Sequence, residues 1–394
     1  MEFDPAEDTE GWSRRLLDHT GTDAHRYLLS NPGDVIVAEQ LICYPKAAKK
    51  FPTLHRHGMA YTKLALEQSS GEIAARFKAK LIEGGSITDL TGGLGMDSLA
   101  FSETVQKVHY VDTALQPYLL ARHNHALCGV TNIEHHLTSA GEAIDNIPAT
   151  DWMYIDPSRR NPNKRVFLLS ECEPDIVGLW SRLLQKARYV MVKLSPMYDL
   201  SAIERELPGV NRIYVVSVDG DVKEVLALAS RIETGASVRV TSVCLPEDFR
   251  IDQQDVTLPI ADFSSFDSAD LALHVPDAAV IKARSTDAFG AQFRLQRLNS
   301  KTDYLVGPKT LIPGAKSYPV AEIMAFKPKQ LRKQLKGMKV HIHQRGFTLT
   351  TDALYSKLGL EMGDDAHLFF STVQQAGKSA LIVLMTSEAL RSEA

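Results

Sequence analysis

Three stretches of this 394-residue chain carry residues whose types and spacing could do chemistry. The first, Ser86-Ile87-Thr88-Asp89-Leu90-Thr91-Gly92-Gly93-Leu94-Gly95-Met96-Asp97-Ser98, reads as a strand, a glycine-rich turn and the start of a helix. Glycines at 92, 93 and 95 permit positive φ and let a ligand touch the main chain, and the helix from Asp97 or Ser98 offers unpaired N–H groups. A flat, polar nucleotide cofactor suits such a turn. The second, Asp156-Pro157-Ser158-Arg159-Arg160, follows the apolar run Trp152-Met153-Tyr154-Ile155 and delivers an acid to the carboxyl end of a strand, where open α/β sheets bind ligands. Its proline holds the turn extended and leaves carbonyls available as acceptors. The third runs from Lys327 to Gly346, contains no acid, and carries Lys327, Lys329, Arg332, Lys333, Lys336 and Arg345. A face of that kind suits phosphate contacts.

The glycine turn supplies only half of a dinucleotide fingerprint, because the third glycine of G-x-G-x-x-G falls on Ser98. NAD is therefore disfavoured. Asp89-Leu90-Thr91-Gly92-Gly93-Leu94-Gly95 instead resembles motif I of the class I S-adenosylmethionine-dependent methyltransferases. The resemblance implies that Asp89 faces the amino-acid end of the cofactor and that Thr91, Gly92, Gly93 and Gly95 form its cradle. Asp112 closes the next strand, Val108–Asp112, about 20 residues after the first glycine, the spacing at which a carboxylate meets ribose hydroxyls. After the third strand, Asn132–Leu137, the family often places an acid against the adenine amino group; Ser139 and Glu142 stand there. Upstream, Ser69 precedes Glu72 at capping-box spacing. Gln68, Ser69 and Ser70 could close over the cofactor, and a capped packing helix is the alternative.

The Asp156 stretch resembles motif IV of the same family, D-P-P followed by an aromatic or arginine, which implies that Asp156, Pro157 and Arg159 face the atom to be methylated. Ser158-Arg159 replaces the aromatic that stacks the base in enzymes acting on exocyclic nitrogens, so stacking would fall to the Arg159 guanidinium. The D-P-x-R form is also similar to that of the pyrimidine carbon-5 methylases, but Leu194 occupies the place of their cysteine nucleophile two residues before Pro196, and covalent attack is not expected. Lys193 could support the pocket or reach solvent. Arg159, Arg160, Lys164 and Arg165 cluster after the motif, as a phosphate-bearing acceptor would require or as a charged loop would carry.

These residues need elements to position them. Strands alternate with helices from about 83 to 230, the pattern of a mostly parallel sheet with helices on both faces, and two apolar runs across Asp219-Gly220 read as a closing hairpin. The expected fold class is α/β, a Rossmann-like class I methyltransferase sheet with a helical N-terminal segment and α+β C-terminal domains. Four segments are expected: 1–82 helical, 83–232 methyltransferase, 233–322 β-rich and 323–394 similar to the THUMP-like domain that follows some bacterial methyltransferase domains. That resemblance implies RNA as a partner.

A net charge of −4 neither demands nor excludes nucleic acid. Cys43, Cys128, Cys172 and Cys244 form no C-x-x-C pair, which fits reduced thiols, and no signal peptide or bilayer-length apolar run is evident. The expected location is cytoplasmic. His341 and His343 share a strand face without an evident third ligand, and His123 and His125 do not share a helix face, so no metal is expected. The reading is an S-adenosylmethionine-dependent methyltransferase acting on a base in RNA, the alternatives being an inactive RNA-binding protein on the same fold and a small-molecule methyltransferase.

Overall fold

A computed structural model describes residues 9–159, 169–231, 237–264 and 270–390, the side chains of 9–12 and 159 excepted. The described residues form two compact units: 9–159, 169–218, 223–231 and 237–239, and 219–222, 240–264 and 270–390.

The strands of the first unit are β1 (Ser86–Asp89), β2 (Lys107–Asp112), β3 (Ile133–Leu137), β4 (Trp152–Ile155), β5 (Ser158–Arg159), β6 (Cys172–Glu173), β7 (Tyr189–Leu194), β8 (Val210–Val218) and β9 (Asp221–Ser230). Seven of them form a sheet in the order β8-β9-β7-β4-β1-β2-β3. β1 pairs in parallel with β2 and β4, β2 with β3, and β4 with β7, whereas β9 is antiparallel to β7. The central strands are buried on both faces and accordingly carry near-continuous apolar runs. The chain works outward from β1 to β3 on one side and from β4 to β7 on the other, where β9 then inserts between β7 and β8. The reversal beside β1 opens a crevice at the carboxyl ends of β1 and β4. β5 and β6 make a separate antiparallel pair.

The N-terminal helices belong to this unit. Leu16, Tyr27, Val37, Leu41, Phe51 and Leu66 share one core with Leu94, Met96, Leu99 and Leu120 around the glycine turn. Two buried amides fix the segment: Asn124 bonds both polar groups of the Ala60 backbone, at 2.7 and 2.9 Å, and Gln40 does the same for Tyr61, at 2.8 and 2.9 Å. Unsatisfied backbone groups at such depth would cost about 1–3 kcal/mol each, so the amides specify this docking as well as tolerate it.

The second unit holds the antiparallel pair β10 (Arg239–Leu245) and β11 (Phe249–Asp252), and a seven-stranded sheet of β12 (Leu271–Pro276), β13 (Gln296–Arg297), β14 (Leu305–Pro308), β15 (Ala315–Ala325), β16 (Lys339–Gln344), β17 (Glu361–Gln375) and β18 (Lys378–Thr386). Its order is β13-β14-β12-β15-β18-β17-β16, with β16 parallel to β17. One face buries Leu273, Tyr304, Val306, Phe369 and Leu384; the other buries Ile342, Leu368, Phe370 and Val383 beneath the helices Pro328–Gln334 and Thr351–Leu358. The four segments read from the sequence are grouped in two, since the N-terminal helices share a core with the glycine turn and the helices after it and one sheet spans the last two segments. No helix among the described residues is long and apolar enough to cross a membrane, and no disulfide joins the four cysteines.

Candidate active site

A cavity of about 970 Å³ lies at the carboxyl ends of the central strands, walled by Thr91, Gly92, Gly93, Asp97, Asp112, Asp156 and Lys193. Each glycine of the turn answers a different constraint. A Cβ on Gly92 would sit 2.0 Å from the Tyr110 ring, and one on Gly95 would sit 2.4 Å from His125 Nε2. Gly93 has φ +53° and a Cβ there would meet only the Thr91 carbonyl, at 4.0 Å, so the main chain is bare where it lines the cavity. The turn is held from below: the Tyr110 hydroxyl donates to the Gly93 carbonyl at 2.7 Å, and His125 Nε2 donates to the Gly95 carbonyl at 2.8 Å. Because that carbonyl can only accept, His125 Nδ1 is the acceptor for His135 Nε2–H at 2.9 Å. Burial pushes both imidazoles down to about 4, which keeps the pair uncharged at neutral pH.

Asp112 accepts the Gly93 amide at 2.9 Å and the Ala114 amide at 2.8 Å, and the remaining lone pairs of this cavity-lining carboxylate can accept further hydrogen bonds. Asp89 lies beneath the turn and not on the wall. Its carboxyl is fully buried and accepts the Thr91 amide at 3.2 Å and the Ser98 hydroxyl at 2.6 Å; burial pushes it up to about 7 although these bonds favour the charged form. Ser98, the residue that spoiled the dinucleotide fingerprint, is thus the partner of Asp89.

The carboxylate on that part of the wall is Asp97. It accepts the hydroxyls of Ser70 and Tyr154, each at 2.8 Å, and stands 3.2 Å from Lys78 Nζ. Burial works to raise its pKa, but the Lys78 ammonium and then Lys193 outweigh it and hold the carboxyl below the usual range. Lys78, with no solvent exposure, also donates to both oxygens of Glu224 at 2.7 and 2.8 Å.

Asp156 is fixed twice. Its amide donates to the Thr91 hydroxyl at 2.7 Å, tying the acid to the glycine turn, and its Oδ2 accepts from Lys193 Nζ at 2.5 Å. Burial pushes Lys193 down, yet the carboxylates of Asp156, Asp97 and Glu224 more than compensate and leave it above its ordinary value. Lys193 is therefore a fixed cation, not a base, and it anchors the Asp156 side chain. Pro157 and Ser158 also line the cavity. Arg159 has its backbone in β5, paired with Cys172; its side chain, and all of Arg160, Lys164 and Arg165, lie outside the described residues.

Gln68 and Ser69 line the cavity, but Ser69 does not open a helix as its spacing with Glu72 suggests. It ends the helix Lys63–Gln68, and Gly71 caps the next one, Glu72–Lys80. Glu72 turns instead to the amides of Thr53 and Leu54, at 3.0 and 3.3 Å. Ser139 and Glu142 do form a capping box, for the helix Ala140–Asn146. Ser139 reaches the cavity; Glu142 does not, its carboxylate being occupied by Thr138 and Ser139. In the second unit Lys327, Lys329, Arg332, Lys333, Lys336 and Arg345 are all exposed, with Arg332 donating to the Lys357 carbonyl at 2.6 Å and Arg345 lying 5.1 Å from the centre of the Tyr304 ring. Lys78, Asp97, Glu224 and His125 were not singled out from the sequence as site residues, because their roles arise only from partners in other elements.

Residues 315–387 match the family described as THUMP domain-like. Two proteins of Mycobacterium tuberculosis, from the strains CDC 1551 / Oshkosh and ATCC 25618 / H37Rv, are each named as an uncharacterized S-adenosylmethionine-dependent methyltransferase. Each is 28% identical to this chain over 305 residues, covering 76% of this chain and 81% of its own length. The crystal structure of a candidate methyltransferase from Porphyromonas gingivalis W83 aligns with a TM-score of 0.82 and 26% identity, over 98% of this chain and 100% of that one. The fold is that of the class I methyltransferases, and the C-terminal region is THUMP-like.

Proposed function

We propose that this chain, an S-adenosylmethionine-dependent methyltransferase with a THUMP-like C-terminal region, methylates a base in RNA. The observation that carries the reading is the joining of glycine turn and acid in one wall: the Thr91 hydroxyl accepts the Asp156 amide, so the cofactor cradle and the acceptor-side carboxylate hold a fixed relation. The cavity suits the cofactor in size, at the upper end of ligand pockets, and in chemistry, with bare main chain at Gly93 and a carboxylate at Asp112.

S-adenosylmethionine, when bound, supplies a methyl group on a positively charged sulfur, already activated for attack by a lone pair. In this reading Gly92 and Gly93 admit it, Asp112 accepts from the ribose hydroxyls, and Gln68, Ser69 and Ser139 border it. Asp156 accepts a hydrogen bond from the acceptor's N–H, which turns the nitrogen lone pair toward the methyl and gives the departing proton a destination. Lys193 holds the Asp156 side chain in place for that task, and Pro157 keeps the strand end open to the acceptor. Arg159 is the proposed stacking group for the base. The exposed cations Lys327, Lys329, Arg332, Lys333, Lys336 and Arg345 would meet phosphates.

The test is transfer of label from methyl-labelled S-adenosylmethionine to RNA extracted from cells that lack the gene. Label in RNA supports the reading. Cofactor binding without transfer to RNA, protein or small molecules favours an inactive RNA-binding protein; label in the small-molecule fraction alone favours a different acceptor class.

A further inference from the structure

β2 and β3 pair in parallel at the edge of the first sheet, with His109 opposite Glu134 and Val111 opposite His136. Glu134 and His136 are two residues apart on one strand and share a face, and His109 joins them from the neighbouring strand. His109 Nδ1 and His136 Nε2 are 3.0 Å apart. Glu134 Oε2 lies 3.8 Å from His109 Nδ1, and Oε1 lies 3.7 Å from His136 Nε2. A tetrahedral ion with bonds of about 2.0–2.1 Å sets its donors about 3.3 Å apart; the two nitrogens lie near that spacing, and with one oxygen taken from Glu134 all three donor atoms lie within 4.8 Å of one another, so a small turn of the half-exposed carboxylate completes the set. None of the three residues lines the cofactor cavity; they border a second one, of about 440 Å³, with Thr138, Glu142 and Asn146.

We propose that His109, His136 and Glu134 bind a divalent transition-metal ion, zinc in the first instance, through Nδ1, Nε2 and one carboxylate oxygen, leaving a fourth position open to the cavity beside them. Imidazole nitrogen with a single carboxylate is a donor set that zinc accepts. Without an ion, the two imidazoles share one hydrogen between them; with one, both nitrogens bond directly. Lys107 Nζ competes for Glu134 at 2.6 Å, but both side chains are about half exposed, and a pair of that kind is weak enough to yield. The expectation of no metal rested on local spacing, which cannot register donors 25 residues apart that meet across two strands.

The test uses untagged full-length protein, stripped with EDTA, dialysed and titrated with zinc chloride by calorimetry. One ion per chain should bind at micromolar concentration. Affinity should fall at least about tenfold in Glu134→Gln and in His136→Ala, and rise in Lys107→Met. Glu134→Gln alters a half-exposed position, and its melting curve by circular dichroism verifies that it folds. His341→Ala/His343→Ala, which removes two imidazoles of a separate histidine group in the second unit, should leave this binding unchanged. Absence of saturable binding up to about 1 mM zinc, equal affinity in Glu134→Gln and His136→Ala, or a loss confined to the His341/His343 variant would each overturn the proposal.

Discussion

Lys78 and Glu224 form an ion pair sealed from solvent behind Asp97 of the cavity wall: Nζ lies 2.7 and 2.8 Å from the two carboxylate oxygens, joining the helix Glu72–Lys80 to β9 across 146 residues of sequence. Burying these charges is costly, and removing Lys78 leaves both Glu224 and Asp97 with Lys193 as the remaining cation of the network. Lys78→Met should therefore lose about 3–5 kcal/mol of stability in denaturant titration, and Lys78→Met/Glu224→Leu should recover part of it, Asp97 still lacking its nearest cation. A double variant no more stable than the single one would show that the network is needed for more than charge balance.

Asp112→Ala removes an acceptor for the Gly93 and Ala114 amides together with the proposed ribose contact. Cofactor affinity measured by calorimetry should fall by about 1.5–3 kcal/mol, roughly 10- to 150-fold. Unchanged affinity would place the ribose elsewhere.

The glycines separate folding from binding. Gly92→Val would drive a side chain into the Tyr110 ring and should prevent folding of the first unit. Gly93→Val meets no such obstacle; it should fold with about 1–2 kcal/mol of left-handed backbone strain and lose cofactor binding. Thermal melting and cofactor titration on both variants distinguish the two effects.

The parts legible in the sequence were those written contiguously. The glycine turn and Asp156 before a proline each announce themselves within a few residues, and Asp112 follows the turn at a fixed 20-residue offset; the structure brings Gly92, Gly93, Asp112 and Asp156 to one cavity. The charge network was not legible, since nothing near Lys78 or Glu224 in sequence signals a partner. Spacing alone also misled. Ser69-x-x-Glu72 and Ser139-x-x-Glu142 match the same pattern, but only the second is a capping box; at the first, a short helix already ends at Gln68 and Gly71 starts the next. Glu142, read as an adenine ligand, is consumed by that box.

Asp89 gives a pH signature. Its folded pKa of about 7 exceeds the ordinary value of 3.8, so the protonated carboxyl contributes stability fully present below about pH 4 and lost as pH rises through 7. Asp89→Asn keeps an acceptor for the Thr91 amide and adds no charge. It should match the parent near pH 4 and be more stable by about 1–3 kcal/mol at pH 8. A parent that stays the more stable at pH 8 would mean that the charged form is the one the turn requires.

Lys333→Glu/Lys336→Glu changes two exposed cations outside the catalytic unit. RNA affinity should drop, with the slope of log affinity against log salt reduced by about 1 per lost phosphate contact, while cofactor affinity is unchanged. An unaltered salt slope would remove this face from RNA binding.

The most direct measurement is mass spectrometry of nucleosides in RNA from cells with the gene, without it, and complemented by the parent or by Asp156→Ala. The account predicts one methylated nucleoside that vanishes on deletion, returns with the parent and stays absent with Asp156→Ala. Identical nucleoside profiles with and without the gene, or full restoration by Asp156→Ala, would contradict it.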